Sequence, residues 1–370
     1  KHPQDPLTGM TAMGRLGGLI LALALAGEAH VGSCFQIGAI PSRIAGSQRL
    51  GSSRAMSSGR LRGGVTMQAA SGTDPKLKER IATFYDQSSG LWESVWGEHM
   101  HMGHYGWEGD EKKGDQQAQI DMVDRLLEFG NVTASSLGPG AAVLDVGCGV
   151  GGSSRHMAKA FGCKVTGITL SPVQAQHAAD RSDAVGLSDL TDFRVADALD
   201  MPFPDASFDL IWSLEVAEHF PDRQRWLEEC WRVLKPGGRL LVACWTHKEC
   251  EAITGGHKSN EDLAPKDRKL LDKICKYYAL PEWVQLRDYQ QIAGGLGFTD
   301  GKVGDWTKSV GPFWPAVWRT ALTWKGISGL ASTLKKGFAT LLGARAVLLM
   351  IKGFRRGLIT LSAFTFVKPK

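Results

Sequence analysis

The sequence predicts an α/β protein: a doubly wound sheet of seven strands, parallel except at its end, with a helical cap inserted before the last, antiparallel strand. Three features carry that prediction. From Ala141 onward, short apolar runs alternate with helical runs of ten or more residues, the pattern of strands joined by crossover helices. The first apolar run ends in a glycine-rich turn, Asp145-Val146-Gly147-Cys148-Gly149-Val150-Gly151-Gly152. Residues 307–357 then interrupt the alternation with an acid-free segment of helical character.

Taken in order, AAVLDVG is a strand closed by glycine, GSSRHMAKAFG a helix stopped at Gly162, and CKVTGITL a second strand. Ser171 and Pro172 pair as N-cap and first-turn residue for the helix PVQAQHAADRSDAVG, which stops at Gly186. TDFRVADA and FDLIWSLEV are the third and fourth strands, RQRWLEECWRVL a helix, and GGRLLVACW the fifth strand after a turn at Lys235-Pro236-Gly237-Gly238. GFTDGKVGDW is the sixth strand and LITLSAFTFVKPK the last. Ligands of such sheets bind at the carboxyl ends of the strands.

A chain of 370 residues with 43% apolar content can bury a real core, which excludes disorder throughout. Its net charge of +5 hides an asymmetry. Residues 1–70 hold seven basic and two acidic residues, 71–305 hold 25 basic and 36 acidic, and 306–370 hold eleven basic and none acidic. The seven cysteines form no C-x-x-C pair, which suits a reducing compartment and gives no zinc-ligand spacing.

Residues 16–27 are an apolar run too short to span a bilayer, preceded by Arg15 and followed by small residues up to Cys34, the build of a signal-peptide core. From Phe35 to Met67 the chain is rich in Ser, Gly and Arg and has no acidic residue, as organellar transit peptides do. The two in series resemble the bipartite presequences of algae with secondary plastids. That resemblance implies plastid import, with maturation near Thr66–Ala70; the alternative is a secretory leader followed by a linker. The expected division is therefore 1–70 presequence without stable structure, 71–140 N-terminal helices and aromatic lid, 141–306 core, 307–357 cap and 358–370 final strand.

Gly147, Gly149 and Gly152 satisfy G-x-G-x-x-G, which dinucleotide dehydrogenases also use. Those enzymes want an acidic residue about 20 positions on for the ribose; here that stretch reads Thr166-Gly167-Ile168-Thr169. Asp145, two residues before the first glycine, suits instead the ammonium end of S-adenosyl-L-methionine, which a dinucleotide lacks. The glycines let backbone approach that end closely. A methyl donor is therefore expected, with a nicotinamide oxidoreductase and a non-catalytic binding fold as the alternatives.

VLDVGCGVGG at 143–152, DASFDLIWS at 205–213 and VLKPGGRLLV at 233–242 resemble the three motifs of class I, Rossmann-like methyltransferases. The resemblance implies that Asp197, flanked by Ala198, meets the adenine amino group, and that Leu214 lies beside the cofactor. The Thr169-Leu170-Ser171 string with Gln174 resembles the cyclopropane-fatty-acid and tocopherol branch, which puts the ribose on Thr169, Leu170 and Gln174. Beyond the core, GLWESVWGEHMHMGHY at 90–105, GITLSPVQAQ at 167–176, LLDKICKYYALPEW at 270–283 and PFWPAVWRTALTWKG at 312–326 resemble the γ-tocopherol methyltransferases in order and spacing. That implies C-methylation of the chromanol ring of γ-tocopherol, and of δ-tocopherol or tocotrienols, in plastids. The same framework serves alkaloid N-methyltransferases and sterol C-methyltransferases, which are the alternatives.

An aromatic carbon attacks a sulfonium methyl only when the ring is electron-rich, so a base on the phenol proton is required. Glu215, Glu218 and His219 follow the fourth strand at the sheet edge where donor and acceptor must meet. His219 is the expected base or phenol orienter, with Glu215 or Glu218 fixing its tautomer; the alternative is a His219 that caps or packs the next helix or touches the cofactor. His99, His101 and His104 have a metal-like spacing, but their aromatic neighbours read better as a lid. The expected substrate pocket is thus Tyr85, Trp92, Trp96, His99, Trp314 and Trp318, with no metal. The basic, Trp- and Leu-bearing cap is expected to form the apolar substrate pocket and to touch a plastid membrane surface peripherally, the alternative being a core-facing cap with solvated charges. Nucleic-acid binding is not expected.

Overall fold

The computed structural model describes residues 65–67, 97–250, 262–278, 280–321 and 339–370. Alternation of apolar strands with amphipathic helices produces one sheet. Its strands are β1 (Val65–Met67), β2 (Ala142–Val146), β3 (Lys164–Thr169), β4 (Thr191–Val195), β5 (Phe208–Leu214), β6 (Leu234–His247), β7 (Thr299–Asp305) and β8 (Ile359–Val367), in the order β1-β4-β3-β2-β5-β6-β8-β7. The seven expected strands are present. The additional one, β1, lies within the segment expected to be the presequence and pairs in parallel with β4 at the sheet's edge.

The strands from β1 to β6 are parallel, and β8 runs antiparallel between β6 and β7. Strand order reverses between β2 and β5, so the crevice for a ligand opens at the carboxyl ends of β2, β3, β4 and β5. Lys235 to Gly238 loop out between the pairs Phe208–Leu234 and Leu210–Arg239, which turns the expected KPGG turn into a bulge within β6.

The described helices are α1 (Asp115–Phe129), α2 (Gly152–Phe161), α3 (Pro172–Ala184), α4 (Arg223–Val233), α5 (Pro265–Tyr278), α6 (Leu286–Leu296), α7 (Phe313–Ala321) and α8 (Ala339–Arg355). Their ends follow the sequence signals. The Ser171 hydroxyl accepts from the Gln174 N–H at 3.0 Å, with Pro172 in the first turn of α3. The Asp222 carboxylate accepts from the Arg225 N–H at 2.8 Å to start α4. Gly162 closes α2 in the left-handed conformation.

Two apolar layers enclose the sheet. One joins Met122, Leu126, Val143, Trp212, Ile274 and Leu361; the other joins Leu144, Ile211, Trp226, Leu240, Tyr289 and Phe364. Helix α8 packs on α5 and α7, so Met350 is buried and Val347, Leu349 and Ile351 rest on the first layer. Cys148, Cys163, Cys230, Cys244 and Cys275 are buried free thiols and Cys250 is partly buried. Among the described residues no helix is long and apolar enough to cross a membrane.

Candidate active site

One cavity occupies the crevice at the carboxyl ends of β2 to β5, and it gathers most of the expected residues. Asp145, Gly147, Gly149, Thr169, Leu170, Gln174, Asp197, Ala198, Leu214, Glu215, His219 and His99 all line it. Glu218 does not, and Trp314 does not. Tyr85, Trp92 and Trp96 lie outside the described residues, and of Trp318 only its place in α7 is described.

Asp145 stands near the end of β2, 2% exposed, and its Oδ2 accepts from the Ser154 hydroxyl at 2.6 Å. Burial pushes its carboxyl up to about 7 against that hydrogen bond. A buried carboxylate held by one hydroxyl is fitted to take a cation, since a positive partner recovers what desolvation costs. The turn after it needs glycine for steric reasons. Gly147 has φ +74°, and a Cβ there would come within 2.3 Å of Val216. A Cβ on Gly152 would come within 2.4 Å of the Glu98 carbonyl oxygen.

The Glu98 contact belongs to a strap, residues 98–102, that crosses the cavity. Glu98 bonds Arg155 at 2.7 Å. Gln119 Nε2 donates to the carbonyls of His99 and His101 at 2.8 and 2.7 Å. Gln174 Nε2 lies 3.7 Å from the Met100 sulfur, and the Met102 N–H donates to Glu215 Oε1 at 2.6 Å. The string around His99 and His101 reads as a lid, but what holds it is not written locally, because these partners are distant along the chain.

On the cofactor side, the Thr169 hydroxyl donates to Gln174 Oε1 at 2.9 Å. Asp197 Oδ1 accepts from the Leu199 N–H at 3.0 Å, so the aspartate both caps its own turn and faces the cavity. On the acceptor side, Glu215 has φ +56°, an unfavourable conformation for a residue with a side chain and one that concentrates at functional sites. Burial pushes its carboxyl up to about 8, tempered by the Met102 N–H and the Trp245 indole. His219 ends a short 3-10 turn, Ala217–His219; burial, with Arg223 nearby, depresses it to about 4.

These values bear on the roles expected of Glu215 and His219. A general base works best with a pKa near the operating pH. Glu215 meets that condition, whereas a His219 neutral down to pH 4 is a weak proton acceptor. Glu218 is 1% exposed, and burial, then Glu215, raise its carboxyl far above the usual range. Trp314 is also reassigned: it lies in an aromatic cluster, 6.0 Å from Trp245, which in turn packs 5.5 Å from Trp283 and 5.9 Å from Tyr278.

The three histidines take separate courses. His99 faces the cavity and contacts His101, while His104 packs edge-on against Trp107 and Trp306. Among the described residues no three His, Cys, Asp or Glu side chains gather as a metal set.

A crevice at the reversal of strand order, a cation-ready aspartate before a glycine turn and an ionisable carboxylate at the fourth core strand define a class I S-adenosylmethionine-dependent methyltransferase. Residues 144–242 match the family model described as a methyltransferase domain. The probable tocopherol O-methyltransferase of Oryza sativa subsp. japonica is 45% identical over 80% of this chain and 80% of its own. The tocopherol O-methyltransferase of Arabidopsis thaliana is 44% identical over 83% of this chain and 87% of its own. Both are named as chloroplastic. The fold is that of a geranyl diphosphate methyltransferase solved with GPP and sinefungin, at TM-score 0.62 and 21% identity over 79% of this chain and 99% of that one. This chain belongs to the tocopherol methyltransferase family.

Proposed function

We propose that this enzyme transfers a methyl group to a ring carbon of γ-tocopherol in the plastid, giving α-tocopherol, and acts likewise on δ-tocopherol or tocotrienols. The observation that carries the reading is the 44–45% identity to tocopherol methyltransferases across at least 80% of this chain. S-Adenosyl-L-methionine, when bound, supplies an electrophilic methyl group. Asp145 would hold its ammonium, Asp197 its adenine amino group, and Thr169, Leu170 and Gln174 its ribose, with Gly147, Gly149, Ala198 and Leu214 forming the walls.

Glu215 is the proton acceptor in this reading. Its ionised carboxylate takes the phenol proton, raising electron density at the adjacent ring carbon; once that carbon carries the methyl it gives up its hydrogen as a proton and the aromatic ring is restored, and Glu215 returns its proton to the phenolate oxygen, so one proton leaves overall. The relatives are named as O-methyltransferases, whereas the ring-carbon reading follows from the resemblance of the strings at 90–105, 167–176, 270–283 and 312–326. Product NMR separates the two, because a C-methylated product keeps its free phenol. His219, neutral and beside the acceptor end, orients the hydroxyl. The reaction is read as metal-free, which activity retained in strong chelator tests.

Residues 1–70 act as a bipartite presequence; maturation near 66–70 would take β1 from the sheet's edge, and a mature N-terminus upstream of residue 50 would contradict the presequence. The cap, 307–357, makes a peripheral contact with anionic lipid through its basic residues, Lys352, Arg355 and Arg356 being the described ones nearest its end. Salt-insensitive or absent cosedimentation with anionic vesicles counts against that contact.

A further inference from the structure

His101 and His99 form a directed hydrogen-bond chain that ends at the cavity. His101 Nδ1 lies 2.9 Å from the Met102 carbonyl oxygen, which only accepts, so Nδ1 carries a proton. Burial depresses His101 to about 3 and His99 to about 4, and both are therefore neutral under physiological conditions. A neutral imidazole has one N–H, which leaves a lone pair on His101 Nε2. His99 Nδ1 sits 3.2 Å from that nitrogen and must be the donor. The proton of His99 is thereby committed, and its Nε2 carries the lone pair.

The backbone holds this chain in register. The Gln119 amide clamps the carbonyls of both histidines, and the strap is seated against Gly152 at the start of α2. This is the glycine-turn side of the cavity, where Asp145 and Ser153 also stand. An ammonium bound there brings three N–H donors, and each needs an acceptor once water is excluded. Asp145 supplies oxygens, one already occupied by Ser154. Glu98 is engaged with Arg155. His99 is a neutral acceptor on the same wall.

We propose that His99, fixed by His101 as the tautomer with its lone pair on Nε2, accepts a hydrogen bond from the ammonium group of the bound methyl donor, supplementing Asp145. The proposal rests on the reading of this cavity as the S-adenosylmethionine site. His99 is then a binding residue, and His101 a positioning residue that acts through it.

The test compares calorimetric binding of S-adenosylhomocysteine with that of its analogue lacking the α-amino group. His99→Ala is expected to weaken the amino-bearing ligand by roughly tenfold or more, the loss of a hydrogen bond to a charged group, and to leave the analogue within a few-fold. His99→Gln, whose side-chain carbonyl is also an acceptor, is expected to recover most of that loss. Nitrogen-15 NMR of the histidine rings in the full chain reads the second half: His99 protonated at Nδ1 in the wild type, and no longer confined to that tautomer in His101→Phe. Equal weakening of both ligands, no weakening, or His99 protonated at Nε2 in the wild type would overturn the proposal while leaving the cofactor site intact. Failure of the wild type to bind either ligand would overturn both.

Discussion

The Met102 backbone N–H donates to the Glu215 carboxylate at 2.6 Å, across 113 positions of sequence. This bond ties the strap over the cofactor cavity to the group that faces the acceptor. It also biases the carboxylate toward its charged form, against a burial effect that raises it to about 8. If Glu215 is the base, as proposed, covering the cofactor and readying the base are linked at one atom, Glu215 Oε1.

Glu215→Gln keeps an acceptor for Met102 and removes the proton acceptor. Turnover is expected to fall about 10²- to 10⁴-fold, with S-adenosylhomocysteine binding within a few-fold of wild type by calorimetry. The base must be ionised to act, so wild-type kcat should rise with pH and level off above an inflection at or below about 8, the value of the free carboxyl. The residual activity of the variant should lack that inflection. A His219→Ala enzyme that loses turnover while Glu215→Gln keeps it would reverse the two roles.

Asp145 gives cofactor affinity its own pH dependence. Its carboxyl ionises at about 7 in the unliganded protein, and the ammonium binds the ionised form. A bound cation lowers that pKa, so binding below pH 7 releases a proton. Affinity should therefore weaken as pH falls through about 7 and be flat above it. Calorimetry in buffers of different ionisation enthalpy measures the released proton, and Asp145→Asn should abolish both the release and the slope.

Gly147→Ala places a Cβ within 2.3 Å of Val216 at a φ of +74°. The expected cost is about 1–3 kcal/mol of stability, seen as a lower denaturation midpoint, together with weaker cofactor binding. Adding Val216→Ala removes the clash but not the backbone strain, so it should restore part of the loss and not all of it.

How much of this was legible beforehand differs from residue to residue. The Asp145 glycine turn, the Ser171-Pro172 helix start and the succession of strands along the chain are written in neighbouring residues; the strands and the helix start stand where expected, and Asp145 lines the crevice. What holds the strap was not legible, because Gln119, Arg155 and Glu215 meet residues 98–102 only after the chain has folded. The preference for Glu215 over His219 was hidden for a different reason. Both stand in one short string, and what separates them is burial, which raises a carboxyl toward neutrality and depresses an imidazole away from it. Trp314 carried the composition of a pocket residue, yet Trp245 and Phe354 surround it. An apolar aromatic reads alike in a core and in a pocket.

Gln119→Leu removes the amide that clamps the His99 and His101 carbonyls while keeping the side chain's bulk. The strap should loosen, raising KM for S-adenosylmethionine roughly tenfold for the two lost hydrogen bonds, with kcat at saturation changed much less. Faster amide hydrogen exchange across residues 98–102 is the accompanying signature. A fall in kcat without a change in KM would show that the clamp serves the acceptor side instead.

Incubation of the mature chain with S-adenosylmethionine and γ-tocopherol, with the product identified by mass spectrometry and NMR, should give α-tocopherol, the new methyl on the ring carbon and the phenol free. An O-methyl ether, methylation of amines alone, or no product with any lipid phenol would overturn C-methylation of tocopherol by this enzyme.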